Sequence, residues 1–229
     1  MKTIGLLGGM SWESSALYYR LINELVREEL GGLHSAACVM VSVDFSEIEH
    51  LQSVGDWVTA GQVLAEQSRR LEAAGADFIV LCTNTMHKVA PDIESAVAIP
   101  LLHLADATAR AVLEAGVTTV GLLGTAFTME QDFYRDRVSS HGLMVIVPDA
   151  ARRAIVHRII YEELVLGIVN DASRQEYVAI IASLHDRGAQ GVILGCTEIE
   201  LLIDQSDSPL PVFPTTRIHA EAAVRMALS

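Results

Sequence analysis

GADFIVLCTNT, residues 75–85, recurs as GAQGVILGCTE, residues 188–198, and the reading of this pair decides the fold. Each copy opens on Gly-Ala, runs through consecutive apolar residues and ends on a polar stretch bearing Cys and Thr. An apolar run without polar alternation is what a parallel strand covered on both faces requires. The repetition extends to either side. IGLLGGM at residues 4–10 returns as VGLLGTA at 120–126, an offset of 116, against 113 for the central pair. IPLLHLADA at 99–107 has a weaker echo in LPVFPTTRI at 210–218, at an offset of 111. The segments keep their order, and the drift in offset is what small loop deletions leave behind. Two copies at so long a period mean a duplicated domain rather than a solenoid.

The intervening stretches are helical. Strands are predicted over 3–7, 37–45, 78–82 and 101–104, with helices over 12–29 and 58–74; Gly75 supplies the C′ residue that ends the second helix. The second half repeats the scheme. Its strands fall at 119–123, 143–147, 192–194 and 212–213; its helices lie at 129–140 and start near 154 and 174. Alternating strands and helices imply right-handed crossovers and parallel sheets. The predicted class is α/β: two similar α/β domains with parallel sheets, related by a pseudo-two-fold. One domain comprises 1–98 plus 210–229, with a C-terminal helix near 218–228 folding back on it; the other comprises 99–209. Ligands of open parallel sheets bind beyond the carboxyl ends of the strands. Here those ends carry the Gly-rich and Cys-bearing segments twice, so the active site is expected in an inter-domain cleft.

Composition narrows the chemistry. The 229 residues are 51% hydrophobic and 20% charged, the balance of a globular chain with a large core. Sixteen basic against 29 acidic residues give a net charge of -13, with no basic patch, which disfavours nucleic acid and anionic membranes as partners. No apolar run is long enough to span a bilayer. The opening MKTIGLLGGM is too short an apolar run for a signal peptide. Three cysteines at wide spacing, Cys38, Cys82 and Cys196, do not form a disulfide framework, so a reducing, cytoplasmic setting is expected. Lys2 and Lys88 are the only lysines, which leaves little for a pyridoxal enzyme to build on. No His, Cys or carboxylate spacing suits a metal, and no metal is expected.

The segments TIGLLGGMS, VLCTNTMHK, VGLLGTA and ILGCTE together resemble the aspartate/glutamate racemase family, over essentially the whole chain. The resemblance implies a cofactor-independent amino-acid racemase, usually a homodimer, with one catalytic cysteine from each half. Two such groups suit the reaction, since racemisation needs a base on one face of Cα and an acid on the other. A thiol pKa of ~8.5, lowered at a helix N-terminus, lets thiolate and thiol exchange those roles. Helix-entering backbone N–H groups near Thr83-Asn84-Thr85 and Thr197-Glu198 are expected to hold the substrate carboxylate.

One motif departs from the family. The usual Cys-Asn-Thr reads here Cys82-Thr83-Asn84-Thr85, so alignment on Asn-Thr puts Thr83 at the catalytic position. The internal repeat agrees independently: matching Gly75 with Gly188 sets Thr83 opposite Cys196 and Cys82 opposite Gly195. Adjacent side chains at a strand end point to opposite faces, so Cys82 is expected to turn into packing. Cys196 is therefore the expected catalytic thiol, with Thr83 opposite it. A threonine alkoxide is a poor resting base, which predicts faster deprotonation of one enantiomer, by family geometry the L form. A second departure is the segment IIYEELVLG, where aspartate-specific relatives carry a lysine and Val165 stands instead. Gln52 resembles a family pocket position and offers a neutral amide, so a range wider than acidic amino acids is expected.

The other expected substrate contacts are Met10, Asn84, Thr85, Thr197 and Glu198. Met10 lines the pocket where Gly8-Gly9 ends the first strand, a segment equally readable as a tight turn. Glu198 either orients the substrate ammonium or complements a helix dipole. His87 either shuttles protons or caps and packs; His103 and Cys38 read as core. Two alternatives stay open: a single-cysteine, decarboxylase-like member of the same superfamily, and a non-catalytic amino-acid or dicarboxylate binding protein.

Overall fold

The computed structural model describes residues 1–229. The chain divides into two compact units, Met1–Leu104 with His219–Ser229, and Ala105–Ile218.

The first unit runs β1 (Ile4–Gly8), α1 (Trp12–Leu30), β2 (Cys38–Ser42), α2 (Phe45–Ser53), α3 (Trp57–Ala73) and β3 (Phe78–Leu81). A 3-10 turn at Thr85–Val89, α4 (Ala90–Ala96) and β4 (Leu101–Leu102) complete it before the chain leaves. Its four strands form one parallel sheet in the order β2-β1-β3-β4. Every residue of β1 and β3 is buried, because helices cover both faces of these central strands. One face packs Ile4, Leu6, Phe78 and Val80 against Tyr18, Ile22 and Val26 of α1, and against Ala220, Ala223 and Val224 of the returning C-terminal helix. The other packs Leu7, Ile79 and Leu81 against Leu64 and Leu71 of α3. The amide of Lys2 donates to Ala227 O at 2.8 Å, which fastens the C-terminal helix to the start of β1.

The second unit contains α5 (Leu104–Glu114), β5 (Thr119–Gly124), α6 (Ala126–Glu130), α7 (Asp132–Ser139), β6 (Met144–Ile146) and α8 (Ala150–Glu162). After a 3-10 turn at Leu164–Leu166 come α9 (Asp171–Asp186), β7 (Gly191–Gly195), 3-10 turns at Thr197–Leu201 and Gln205–Asp207, and β8 (Val212–Pro214). Helix α10 (Thr215–Leu228) starts in this unit and continues into the first. Its sheet is again parallel, in the order β6-β5-β7-β8.

The two sheets share one internal register. Ile4 pairs with Phe78 and Leu7 with Leu81; Val120 pairs with Gly191 and Leu123 with Leu194. Ile79 pairs with Leu101, and Val192 with Val212. These partners reproduce all three sequence offsets, including the weak third echo. They also shift the division from the expected 1–98/99–209/210–229. Residues 101–102 hydrogen-bond to β3, so they close the first sheet, and 212–214 hydrogen-bond to β7, so they close the second. Helices α8 and α9 start a few residues ahead of the expected 154 and 174. The side chains of Asp149 and Asn170 accept from the amides of Arg152 and Ser173, and these caps place the first turns.

Candidate active site

In the first unit the candidate residues gather at the carboxyl ends of β1 and β3. Gly9 follows β1 with φ +96°, and a Cβ there would collide with the carbonyl oxygen of Val43. Only glycine takes that turn at low cost. Two serines in the first turn of α1 tie these ends down. Ser15 Oγ accepts from the Gly9 amide at 2.8 Å, and Ser14 Oγ donates to Cys82 O at 2.8 Å. Met10 is buried with Leu7 and Met86 in the α3-side core. Gln52, near the end of α2, is buried too, and its Nε2 lies 2.9 Å from the thioether of Met86.

Cys82 and Thr83 part company at the end of β3. Cys82 is fully buried in the α1-side core, its Sγ directed at Val80 O at 3.6 Å, and burial pushes its thiol far above the ordinary value. Thr83, the next residue, is 9% exposed and leads through Asn84 into the turn that Thr85 begins. His87 fixes this segment from below. Its Nδ1 lies 2.8 Å from Thr83 O, a pure acceptor, and its Nε2 accepts from the Leu104 amide at 3.2 Å. Nδ1 therefore carries the proton and both ring nitrogens are occupied. Burial, and repulsion from the rings of His103 and His219, hold His87 neutral, well below the ordinary histidine value. Of the two expected readings of His87, the structure shows the capping one. Lys88 sits over the Trp57 ring at 3.9 Å, a cation–π contact that occupies its ammonium.

In the second unit the equivalent edge lies beyond β5 and β7. Thr125 caps α6 by accepting from the Thr128 amide, and the following amide, of Ala126, donates to His157 Nδ1 at 3.2 Å. Cys196 follows Gly195 and occupies the position just ahead of the turn at Thr197–Leu201. Its thiol donates to Glu198 Oε2 at 2.9 Å. The expected lowering of this thiol's pKa is not found. Burial, followed by the adjacent Glu198 carboxylate, drives it well above the ordinary value. The helix that was to lower it is one five-residue 3-10 turn, too short for a strong dipole, and its two amide contacts to sulfur are outweighed.

Two groups here escaped the sequence reading. Glu200, on the same turn, accepts from the Thr216 amide at 3.1 Å, and burial raises its carboxyl to about 7. Tyr177 of α9 is buried and donates to Val156 O at 3.3 Å; burial first, then the nearby Cys196 and Glu163, push its phenol well above the ordinary value. Neither carries a local signal. Glu200 looks like any acidic residue of a polar turn until α10 brings Thr216 to it. Val165 lies in the 3-10 turn at Leu164–Leu166 and packs against the second core. No group of three or more His, Cys, Asp or Glu side chains is placed to hold a metal ion, and no helix is long and apolar enough to cross a membrane.

Known proteins share this fold. The family described as Asp/Glu/Hydantoin racemase matches residues 7–223. A crystal structure of a candidate Asp/Glu racemase from Yersinia pestis is 56% identical, covers 100% of both chains and superposes with a TM-score of 0.95. An aspartate racemase homologue from Pyrococcus horikoshii is 35% identical, again over 100% of both chains, with a TM-score of 0.89. The broad specificity amino-acid racemase RacX of Bacillus subtilis is 26% identical over 163 residues, 70% of this chain and 69% of its own length. Two parallel α/β units with duplicated strand-end motifs, and a family match spanning nearly all of them, lead to one assignment: the chain belongs to the Asp/Glu/Hydantoin racemase family.

Proposed function

We propose that this protein interconverts L- and D-amino acids without a pyridoxal cofactor, with Cys196 serving one face of Cα and Thr83 the other. One observation carries the reading. The sheet registers place Thr83 and Cys196 at equivalent positions, two residues beyond the paired Leu81 and Leu194, each at the mouth of a 3-10 turn. A thiol and a hydroxyl at matched strand ends are what remains of a two-base pattern when one thiol becomes a threonine. Cys82 does not compete for the role, because its sulfur is directed into the core.

In this reading Asn84, Thr85 and Thr197 hold the α-carboxylate, and Met10 and Gln52 border the substrate side chain. A neutral amide at Gln52 and an apolar Val165 support a range wider than acidic amino acids, in keeping with the broad specificity named for the Bacillus relative. Cys196 takes the α-proton of the favoured enantiomer, and Thr83, or a water it holds, returns a proton on the far side. A hydroxyl is a weaker acid than a thiol and its alkoxide a poorer resting base, so the enantiomer facing Cys196, the L form, reacts faster. The equilibrium constant cannot change, so the asymmetry resides in kcat and KM together. Homodimeric assembly belongs to the same proposal; the exposed Trp12, Tyr19 and Met40, on α1 and the edge strand β2, offer the apolar face a second copy would bury.

The test is α-proton exchange in heavy water across a panel of L- and D-amino acids, without added cofactor. Wild type exchanges; Cys196→Ala falls by about 10²–10⁴-fold, the usual worth of a positioned proton-transfer group. Exchange surviving that substitution sinks the mechanism. Thr83→Cys raises the rate for the slower enantiomer. Carbon dioxide release from a malonate-type substrate, without exchange, would favour the decarboxylase alternative. Thermal stabilisation by an amino acid with neither reaction would favour a binding protein.

A further inference from the structure

We infer that His157 is a specificity-determining residue: its Nε2–H, at the strand-end edge that carries Cys196, donates a hydrogen bond to a carboxylate or amide oxygen of the substrate side chain. The inference rests on Cys196 serving Cα in the proposed reaction. It adds, from the second unit, a polar contact for the distal group of the amino acid.

The register of the second sheet places this ring. Gly124 pairs with Gly195, so Thr125 and Cys196 stand side by side, one residue beyond the paired ends of β5 and β7. The next amide along, of Ala126, donates to His157 Nδ1 at 3.2 Å and ties the ring to this edge. A second tie comes through the preceding residue of α8. Val156 O accepts from the Tyr177 hydroxyl, and Tyr177 lies near enough to Cys196 for the charge there to act on its phenol. Val156 and Cys196 also belong to one buried core. The turn of α8 that carries His157 is therefore held at the thiol's end of the sheet by two separate contacts.

The tie also fixes the tautomer. Nδ1 accepts a backbone N–H, so the neutral ring carries its proton on Nε2, at the tip of the ring and farther from the α8 backbone. Burial lowers the pKa of His157 and the Glu130 carboxylate opposes this less strongly, so the ring is neutral at pH 7; Glu130 is itself paired with Arg153 at 2.9 Å. Phe127 meets the ring edge-on, with centroids 6.4 Å apart, and Tyr161, one turn further along α8, tilts against it at 4.6 Å. The half-buried ring is thus held in one orientation, and its Nε2 makes no hydrogen bond within the protein. A fixed donor of this kind rewards a ligand that brings an acceptor. A ligand that brings a methyl group to the same place displaces water and leaves the N–H unpaired, which is the stronger source of discrimination. Aspartate and asparagine bring the oxygen; leucine, of nearly the same shape, brings the methyl group.

The experiment compares wild type, His157→Phe and His157→Gln by α-proton exchange in heavy water at pH 7. The substrates are two sets of near-isosteres: L-aspartate, L-asparagine and L-leucine, and the one-carbon-longer L-glutamate, L-glutamine and L-homoleucine. The readout is the ratio of kcat/KM for an oxygen-bearing substrate to that for its apolar isostere. Where the isostere exchanges too slowly to follow, the ratio of its inhibition constant to the substrate KM takes its place. Wild type should favour the oxygen in at least one set, and in His157→Phe that ratio should fall by about tenfold or more. The substrate whose ratio falls further identifies the oxygen as carboxylate or amide. The His157→Gln amide can both accept from Ala126 and donate to the substrate, so it should restore most of the ratio. An equal fall for oxygen-bearing and apolar substrates would mark a merely structural role and overturn the inference. Wild type indifferent to the oxygen in both sets would overturn it equally. Should His157→Phe not fold, the ¹⁵N resonance of His157 Nε2 in Cys196→Ala decides: it should shift on adding the favoured oxygen-bearing substrate and not its isostere, and no difference overturns the inference. Cys196→Ala also separates the two levels. If that variant still exchanges, the reading of Cys196 fails; if it is dead while His157→Phe keeps the wild-type ratios, only the role of His157 fails.

Discussion

Acidification from pH 7 to 5 is expected to cost the first unit about 2 kcal/mol through His219 alone. This ring is fully buried between Tyr18 of α1 and Leu102 of β4. Its Nε2 donates to Leu102 O at 2.8 Å, so its Nδ1 accepts from the Tyr18 hydroxyl at 2.9 Å, and the native ring is neutral. Burial lowers its pKa from the ordinary 6.5 to about 4. Between these values the unfolded chain binds a proton that the folded chain refuses. The stabilisation is therefore complete above pH 6.5, is lost as pH falls, and is exhausted below about pH 4. At ~1.4 kcal/mol per pH unit, the loss reaches about 2 kcal/mol at pH 5 and about 3 kcal/mol at pH 4. His87, neutral for the same reason, adds in the same direction. The assay is urea unfolding followed by circular dichroism at pH 7, 6 and 5 for wild type and His219→Gln, since an amide can both donate to Leu102 O and accept from Tyr18. Carboxylate titrations are common to both proteins and cancel in the difference. The variant starts less stable, and the gap should narrow by about 2 kcal/mol on reaching pH 5. Parallel pH profiles for the two proteins would refute the assignment of His219 as a buried neutral base.

Gly195→Ala is expected to destabilise by about 1–3 kcal/mol and to cut α-proton exchange strongly: the new Cβ would sit 2.9 Å from Leu123 O, and a backbone atom cannot yield without displacing Cys196 next door. Thermal melts and exchange assays on one preparation check both effects. Cys82→Ala should lose about 1–2 kcal/mol by chemical denaturation yet exchange within threefold of wild type; collapse of exchange would make Cys82 the counterpart thiol. Glu200→Gln should gain on wild type as pH rises. Burial raises the Glu200 carboxyl from 4.5 to about 7, so wild type is fully stable below pH 4.5 and loses up to about 3 kcal/mol by pH 7, a loss the neutral amide escapes. A stability gap that does not change between pH 5 and 7.5 would count against it.

What the sequence determined by itself was the architecture and its duplication. Apolar runs such as 78–81 and 192–194 are set by local chemistry, because a strand covered on both faces has no place for alternating polar residues. The offsets of 116, 113 and 111 are likewise intrinsic to the chain, and the sheet pairings reproduce them residue by residue. The separation of Cys82 from Thr83 was legible for the same reason, since neighbours at a strand end point opposite ways. Tertiary structure decided the rest, because it depends on which distant groups meet. Nothing in 84–89 says that both nitrogens of His87 are taken by backbone at Thr83 and Leu104. Nothing in ILGCTE says that a 3-10 turn would carry the Glu198 carboxylate onto the sulfur of Cys196, reversing the expected direction of its pKa. The sheet that each closing strand joins could not be assigned from sequence either. At two or three residues, 101–102 and 212–214 hold their sheets through hydrogen bonds to β3 and β7, and such pairing leaves no trace in a local pattern.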